Sequence, residues 1–349
     1  MSIVSKQEDL RKLQFTGKSS FTVSLPKQWV KENGLKQGDQ VTVGRNSSSI
    51  LEIKPMSILK PSNQESATIT ITNNDNDASI LRKLIALYFL HYQTIHIKPK
   101  GDRITPSQRN TIRSAVKNVL MGAEITSDST EGITIQVLIN LVGLSVDGAF
   151  KRMLHLAKSM QDDVLLALKE GNVELAQQVI DSDDDVDRFG FYIIRQLTIG
   201  IENEHMLEEM GFSNSRDCLG YRVIVKNIER LADHAERMAK DVIEFKKPIN
   251  EKTFDRLKEL SDYTLKLIDD ACLAMFKQDT GEAEQTISNV SKITRLEKKV
   301  FDTIKPSQKE EEIYRIRKIV ENLRRISEYA SDIGEVVLNT NIEKMIKKQ

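Results

Sequence analysis

Cysteine is nearly absent from this 349-residue chain: Cys218 and Cys272 are the only two, and they form no CxxC pair. A disulfide framework and a thiolate zinc ribbon are therefore excluded, and a reducing, cytoplasmic setting is expected. Aromatic residues are scarce at 5%, and 7 Pro with 16 Gly leave little for the turn-dense pattern of a β-sandwich. Charge of one sign is missing as well. Lys plus Arg total 51 and Asp plus Glu 51, a net of zero that excludes a uniformly polybasic nucleic-acid coat and leaves only local patches. No apolar run approaches the ~20 residues that cross a bilayer; the longest, Ile135 to Leu144, is broken by Gln136 and Asn140. The opening MSIVSKQEDLRK lacks the apolar stretch of a secretory leader. At roughly 150 residues per domain, the length predicts two or three domains, and the lack of a long apolar run predicts no membrane insertion.

What is present falls into three textures. Over 1–55, short strands alternate with turns: Phe21, Val23 and Leu25 alternate with Thr22 and Ser24, Pro26 opens a short helix that Gly34 closes, and KQGD leads into QVTV and ILEI. So few large apolar side chains cannot bury a self-sufficient core, which implies a barrel completed by a second copy, a homodimer. Over 66–138, strand and helix alternate as a small α/β domain, with a helix start at Thr105–Pro106, a stop at Gly122 and no catalytic motif. From 145 onward a 3.6-residue period takes over, through Phe150, Met153, Leu154, Ala157, Met160, Val164, Leu165 and Leu168, and again through Val223, Ile228, Leu231, Ala235, Met238 and Val242. Pro248 and Pro306 mark expected interhelical turns.

The helical part also repeats itself. QDDVLLALKEGNVELAQQVI at 161–180 aligns with IDDACLAMFKQDTGEAEQTI at 268–287, and IERLADHAERMAKDV at 228–242 with LRRISEYASDIGEVV at 323–337. Each unit holds about three helices, so 145–247 and 248–346 are expected to be tandem three-helix bundles, six helices in all. The fold class is thus multidomain α+β: a β-barrel module at the N-terminus, a small α/β middle domain and paired bundles.

The sharpest local feature is DSDDDVD, five carboxylates in residues 181 to 187. On a helix, Asp183 and Asp187 lie one turn apart on one face and repel, so they require either full solvation or a cation. Glu229 and Asp233 share the same spacing in NIERLADHAERMA. Two such pairs on adjacent helices can converge on one ion, and an all-oxygen set favours Mg²⁺, Mn²⁺, Ca²⁺ or Fe³⁺ over zinc. Spacing alone favours a plain solvated acidic face over a metal site.

DDDVD followed by ERLADHAERMA inside a duplicated three-helix unit closely resembles the PhoU family of phosphate-signalling regulators, over roughly 145 to 340. The resemblance implies a metal site, iron or another hard cation, at Asp183, Asp187, Glu229 and Asp233, and a role in phosphate homeostasis. In the second repeat, Val290 and Thr294 align with the aspartate pair and Arg324 with Glu229, leaving Glu297 and Glu328 as nearby carboxylates, so one good site is expected rather than two.

The N-terminal stretch RKLQFTGKSSFTVSLPKQWVKENGLKQGDQVTV resembles the AbrB/SpoVT type of swapped-hairpin DNA-binding domain. That resemblance implies an intertwined dimer on double-stranded DNA. Charge agrees, since 1–55 holds nine Lys/Arg against five Asp/Glu, a net of +4. Arg11, Lys12, Lys18, Lys27 and Arg45 are the expected phosphate or base-edge contacts, and Trp29 is expected to anchor its helix rather than stack on a base.

Other motifs are incomplete. Gly17-Lys18-Ser19 lacks the first glycine of a phosphate-binding loop, because that position is Lys12. Glu202 and His205 form a single ExxH where a di-iron bundle needs two. His234 is expected to pack rather than ligate, and His91, His96 and His155 have no partner at a readable spacing. The leading expectation is therefore a non-enzymatic, phosphate-responsive transcription regulator. The alternative is a cytosolic adaptor docking on a phosphate transporter or sensor kinase.

Overall fold

The computed structural model describes residues 10–17, 20–45, 51–55, 66–101, 103–138, 144–245 and 247–344, in two compact units, Met1–Glu65 and Ser66–Gln349.

In the first unit, β1 (Gln14–Thr16) pairs antiparallel with β2 (Ser20–Thr22), α1 spans Lys27–Glu32, and β3 (Val41–Arg45) pairs antiparallel with β4 (Leu51–Pro55). Gly34 ends α1 at φ 63°, a left-handed conformation that suits a residue without Cβ. Phe15 faces Phe21 across the first ribbon, rings 5.2 Å apart, yet both stay 62% and 67% exposed. Leu13, Val43 and Leu51 are exposed too, and apart from Pro55 no described residue of this unit is buried. The expected barrel is not closed among the described residues of one chain: two separate ribbons lie open, because there is too little apolar mass to fold them onto.

The second unit begins with a four-stranded sheet in the order β5 (Ser66–Ile71), β6 (Thr94–Pro99), β8 (Ile133–Val137), β7 (Ala123–Asp128). β5 and β6 run parallel, joined by α2 (Asp77–Phe89), and the remaining pairs are antiparallel. Ile71, Ile95, Ile97, Ile133 and Ile135 from the strands meet Ile80, Leu84 and Tyr88 of α2 and Ile112 of α3 (Pro106–Ser114) in one core. α3 opens on a capping box: Thr105 accepts from the Gln108 N–H, Gln108 answers the Thr105 N–H, and Pro106 takes the first helical position. Gly122 closes this segment at φ 69°.

The bundle consists of α4 (Val146–Glu170), α5 (Val173–Glu202), the short α6 (Glu204–Glu209), α7 (Ser215–Phe245), α8 (Glu251–Lys277), α9 (Thr280–Val290), α10 (Ile293–Phe301) and α11 (Glu310–Asn341). Ser145, Asn172, Asn250 and Asp279 cap the N-termini of α4, α5, α8 and α9 through side-chain oxygens. α4, α5 and α7 form the first repeat, and α8, the pair α9 and α10, and α11 form the second. One hydrophobic core runs continuously from Val146 to Ile333 through both. The repeat extends to surface detail: matched Leu166 and Leu273 both stand exposed, and matched Asp162 and Asp269 each ion-pair with a lysine of the other repeat, Lys258 at 3.1 Å and Lys158 at 2.6 Å. Val223, expected on the apolar face of α7, is instead 47% exposed.

The repeats differ at one decisive place. The counterpart of α5 breaks between Val290 and Ile293, where Ser291 Oγ donates to the Ser288 carbonyl and the Lys292 N–H to the Asn289 carbonyl.

Candidate metal centre on the first helical repeat

α5 presents its five aspartates in two directions. Asp181, Asp184 and Asp185 are exposed, as a solvated acidic face requires, whereas Asp183 and Asp187 are half-buried toward α7. Gly190, one turn further on, lets the helices close up: a Cβ there would lie 3.2 Å from Met153 Cε and 3.8 Å from Val225 Cγ1 of α7. On α7, Glu229 is buried and Asp233 half-buried.

Electrostatics identify which carboxylates meet. Burial, then Asp233, Glu236, Asp184 and Glu229, pushes Asp183 up to about 7. Asp187 is likewise pushed up to about 7, by burial, then Glu229, Asp183 and Asp233, against the opposing pull of Lys226. After burial, Asp233 raises Asp183 most and Glu229 raises Asp187 most, the order expected of two antiparallel helices. Lys226 forms an ion pair with Glu229 from one turn away, and Lys240 holds Glu236 at 2.6 Å. Among the described residues, no three His, Cys, Asp or Glu side chains point together as ligands. The structure thus brings the four expected carboxylates into one neighbourhood as mutually repelling groups, with Glu229 turned to a lysine. Sequence reasoning missed Glu236, although Glu229, Asp233 and Glu236 follow the i, i+4, i+7 spacing of a single helix face.

The PhoU domain family model matches residues 150–242 and again 257–337. The helical part of this chain belongs to the PhoU domain family. A second family model, antidote-toxin recognition MazE, bacterial antitoxin, matches 14–59. The chain is 27% identical over 145 residues to the phosphate-specific transport system accessory protein PhoU homolog of Aquifex aeolicus, a match over 42% of this chain that spans 64% of the relative's length. It is similar to the crystal structure of PhoU from Pseudomonas aeruginosa (18% identity, TM-score 0.47, 57% of this chain and 96% of that one). The phosphate transport system regulatory protein PhoU from Streptococcus pneumoniae gives 18% identity and a TM-score of 0.48, over 58% of this chain and 96% of that one.

In the second PhoU domain, the helix break removes the one-turn spacing that pairs Asp183 with Asp187, since Val290 ends α9 and Thr294 lies in α10. Arg324, at the place of Glu229, lies 2.6 Å from Glu321, 3.8 Å from Glu297 and 3.9 Å from Glu328. A guanidinium already supplies the positive charge there.

His234 is buried between the two PhoU domains, with Nδ1 2.7 Å from Asn322 Oδ1 and Nε2 3.0 Å from Tyr329 Oη, so both ring nitrogens are engaged. His91 Nε2 lies 2.8 Å from Glu202 Oε2, a partner 111 positions away that no local spacing reveals. Of the residues expected at DNA, Arg11 and Lys12 precede β1 and Lys27 opens α1, all exposed. Lys18 lies outside the described residues, and Arg45 ends β3. Trp29 is half-buried on α1. Among the described residues no helix is long and apolar enough to cross a membrane.

Proposed function

We propose that this chain is a phosphate-responsive, DNA-binding transcription regulator controlling phosphate uptake, in which an N-terminal dimer grips DNA and the first PhoU domain senses through a bound hard cation. The carrying observation is that one chain joins a MazE-type module, with exposed Arg11, Lys12 and Lys27, to a tandem PhoU domain. The uncovered Phe15, Phe21, Val43 and Leu51 support a second copy at the N-terminal module. The cation reading rests on donor chemistry. Asp183, Asp187, Glu229 and Asp233 supply only oxygen, and their crowding leaves negative charge that iron, Mn²⁺ or Mg²⁺ would neutralise. The protein's own part is to hold four carboxylates on two facing helices of a packed bundle. An effector shifts DNA occupancy only by the difference in its affinity for two arrangements of the dimer.

The name of the Aquifex relative, an accessory protein of a phosphate-specific transport system, favours a second reading: a cytoplasmic adaptor that docks on a transporter or sensor protein without touching DNA. In either role the chain is regulatory and not an enzyme.

Mobility-shift titration of the full chain against duplex DNA at about 50 and about 200 mM salt separates the two readings. Affinity falling by orders of magnitude, and a shallower salt slope in Lys12→Gln/Lys27→Gln, supports the regulator. A flat, weak response in both proteins supports the adaptor.

A further inference from the structure

The middle domain, for which the sequence offers no chemistry, gathers three arginines around one cavity. The space measures about 360 Å³ and is walled by Arg103, Ile104, Arg109, Asn110, Arg113 and Thr130. Its geometry is built into the fold. The Ile104 N–H donates to the Thr130 carbonyl at 3.0 Å, stitching the segment before α3 to the turn between β7 and β8. The capping box at Thr105 fixes where α3 begins, and the i, i+4 spacing of Arg109 and Arg113 puts both on one helix face.

The charges are unbalanced. Asp128, at the end of β7, is the one carboxylate that contacts these arginines among the described residues: Arg113 Nε donates to it at 2.8 Å, and Arg109 Nε lies 2.9 Å from its other oxygen. That second contact is misaligned, so Arg109 Nε is buried without a hydrogen-bond partner. Arg103 meets no carboxylate among the described residues, and Glu131, exposed in the neighbouring turn, does not line the space. Among the described residues, three guanidinium groups stand against one contacting carboxylate in a chain whose net charge is zero.

We propose that this cavity binds a small ligand through its phosphate groups. Guanidinium forks match phosphate oxygens in pairs, the misaligned Arg109 has donor capacity to give, and Asp128 stands as an internal counter-ion that a more highly charged anion outcompetes. The volume falls in the range of small-molecule sites, about 300–1,000 Å³, and Ile104 with Pro106 adds an apolar wall. The site is independent of both the DNA and the cation readings and stands or falls without them.

Calorimetric titration of the full chain with inorganic phosphate, pyrophosphate and ATP, with sulfate at matched ionic strength as control, tests it. Saturable binding of at least one phosphate probe at one site per chain is expected, and the probe that binds best tells free phosphate from an organic phosphate. Arg103→Gln, at an exposed residue, and Arg109→Gln, checked for folding by its melting curve, are each expected to weaken binding about tenfold or more. Asp128→Asn, which removes the internal competitor, is expected to leave binding as tight or tighter. The proposal is overturned if no phosphate probe saturates, if sulfate responds equally, if both arginine variants bind like wild type, or if they alter affinity for duplex DNA alone.

Discussion

Arg195 of α5 donates through Nη1 to the backbone carbonyl of Tyr88 in the middle domain at 2.5 Å. Its Nη2 reaches the carbonyls of His91 and Tyr92 at 3.1 Å, and the guanidinium stacks 4.8 Å over the Tyr88 ring. Phe191, one turn earlier, packs edge-on against Phe89 at 5.7 Å. One helix therefore carries the Asp183 and Asp187 pair near its middle and the junction with the α/β domain near its end.

Arg195→Met keeps the apolar stem but leaves these carbonyls short of a donor. We expect a loss of about 2–4 kcal/mol in urea unfolding, because bonds to charged donors in a buried setting are the strong ones. Arg195→Lys, a single ammonium unable to span three acceptors, should recover less than half of it. An unchanged midpoint in Arg195→Met would show that the junction is carried by the aromatic contacts alone.

The carboxylate pair fixes the sign of a pH effect. Asp183 and Asp187 titrate near 7 in the folded chain against an ordinary 3.8, so without metal their crowding costs stability progressively as pH rises through that window. Added Mn²⁺ should raise the melting temperature at about pH 8 and have little effect at about pH 5.5, where protons hold the site. Asp183→Asn/Asp187→Asn should raise metal-free stability at neutral pH and abolish the Mn²⁺ response. A response that survives in this variant would place the ion elsewhere.

Arg324 makes the second PhoU domain a built-in control. Its ion pairs are partly exposed, so Arg324→Ala should cost no more than about 1 kcal/mol. Elemental analysis should give the same metal content as wild type, because the break after Val290 leaves no aspartate pair to join Glu297, Glu321 and Glu328. Doubled metal content would show that the arginine alone keeps the second site closed.

His234 separates packing from ligation. Truncation to Ala orphans Asn322 and Tyr329 in a buried interface and should cost about 2–4 kcal/mol with metal content unchanged. Burial holds the imidazole below its ordinary 6.5, so this residue contributes stability above that pH that is lost on acidification. The acid loss should shrink in His234→Gln. Metal content that falls with His234→Ala while the fold survives would make it a ligand.

Much of this architecture is legible in the sequence because its determinants are local. Thr105 before Pro106 and Gly122 at φ 69° stand where propensity puts them, and the matched segments at 161–180 and 268–287 expose the duplication directly. The acidic cluster is legible for the same reason, since its spacing of four lies within one helix turn. Whatever depends on distant parts of the chain is not. Nothing local marks the His91 and Glu202 contact across 111 positions, the grip of Arg195 on the turn after α2, or the meeting of Arg109 with Asp128. The break after Val290 is likewise hidden, because Ser291 and Lys292 are ordinary helix residues.

The single apolar interior shared by both PhoU repeats alters what a boundary at 247 means. It separates two passages of similar text but no two cores: Ile228 and Leu231 of the first copy and Ile268 and Leu323 of the second lie buried in one apolar cluster, so excising either copy would uncover part of the other's interior. Duplication here enlarged one packed structure instead of stringing two together.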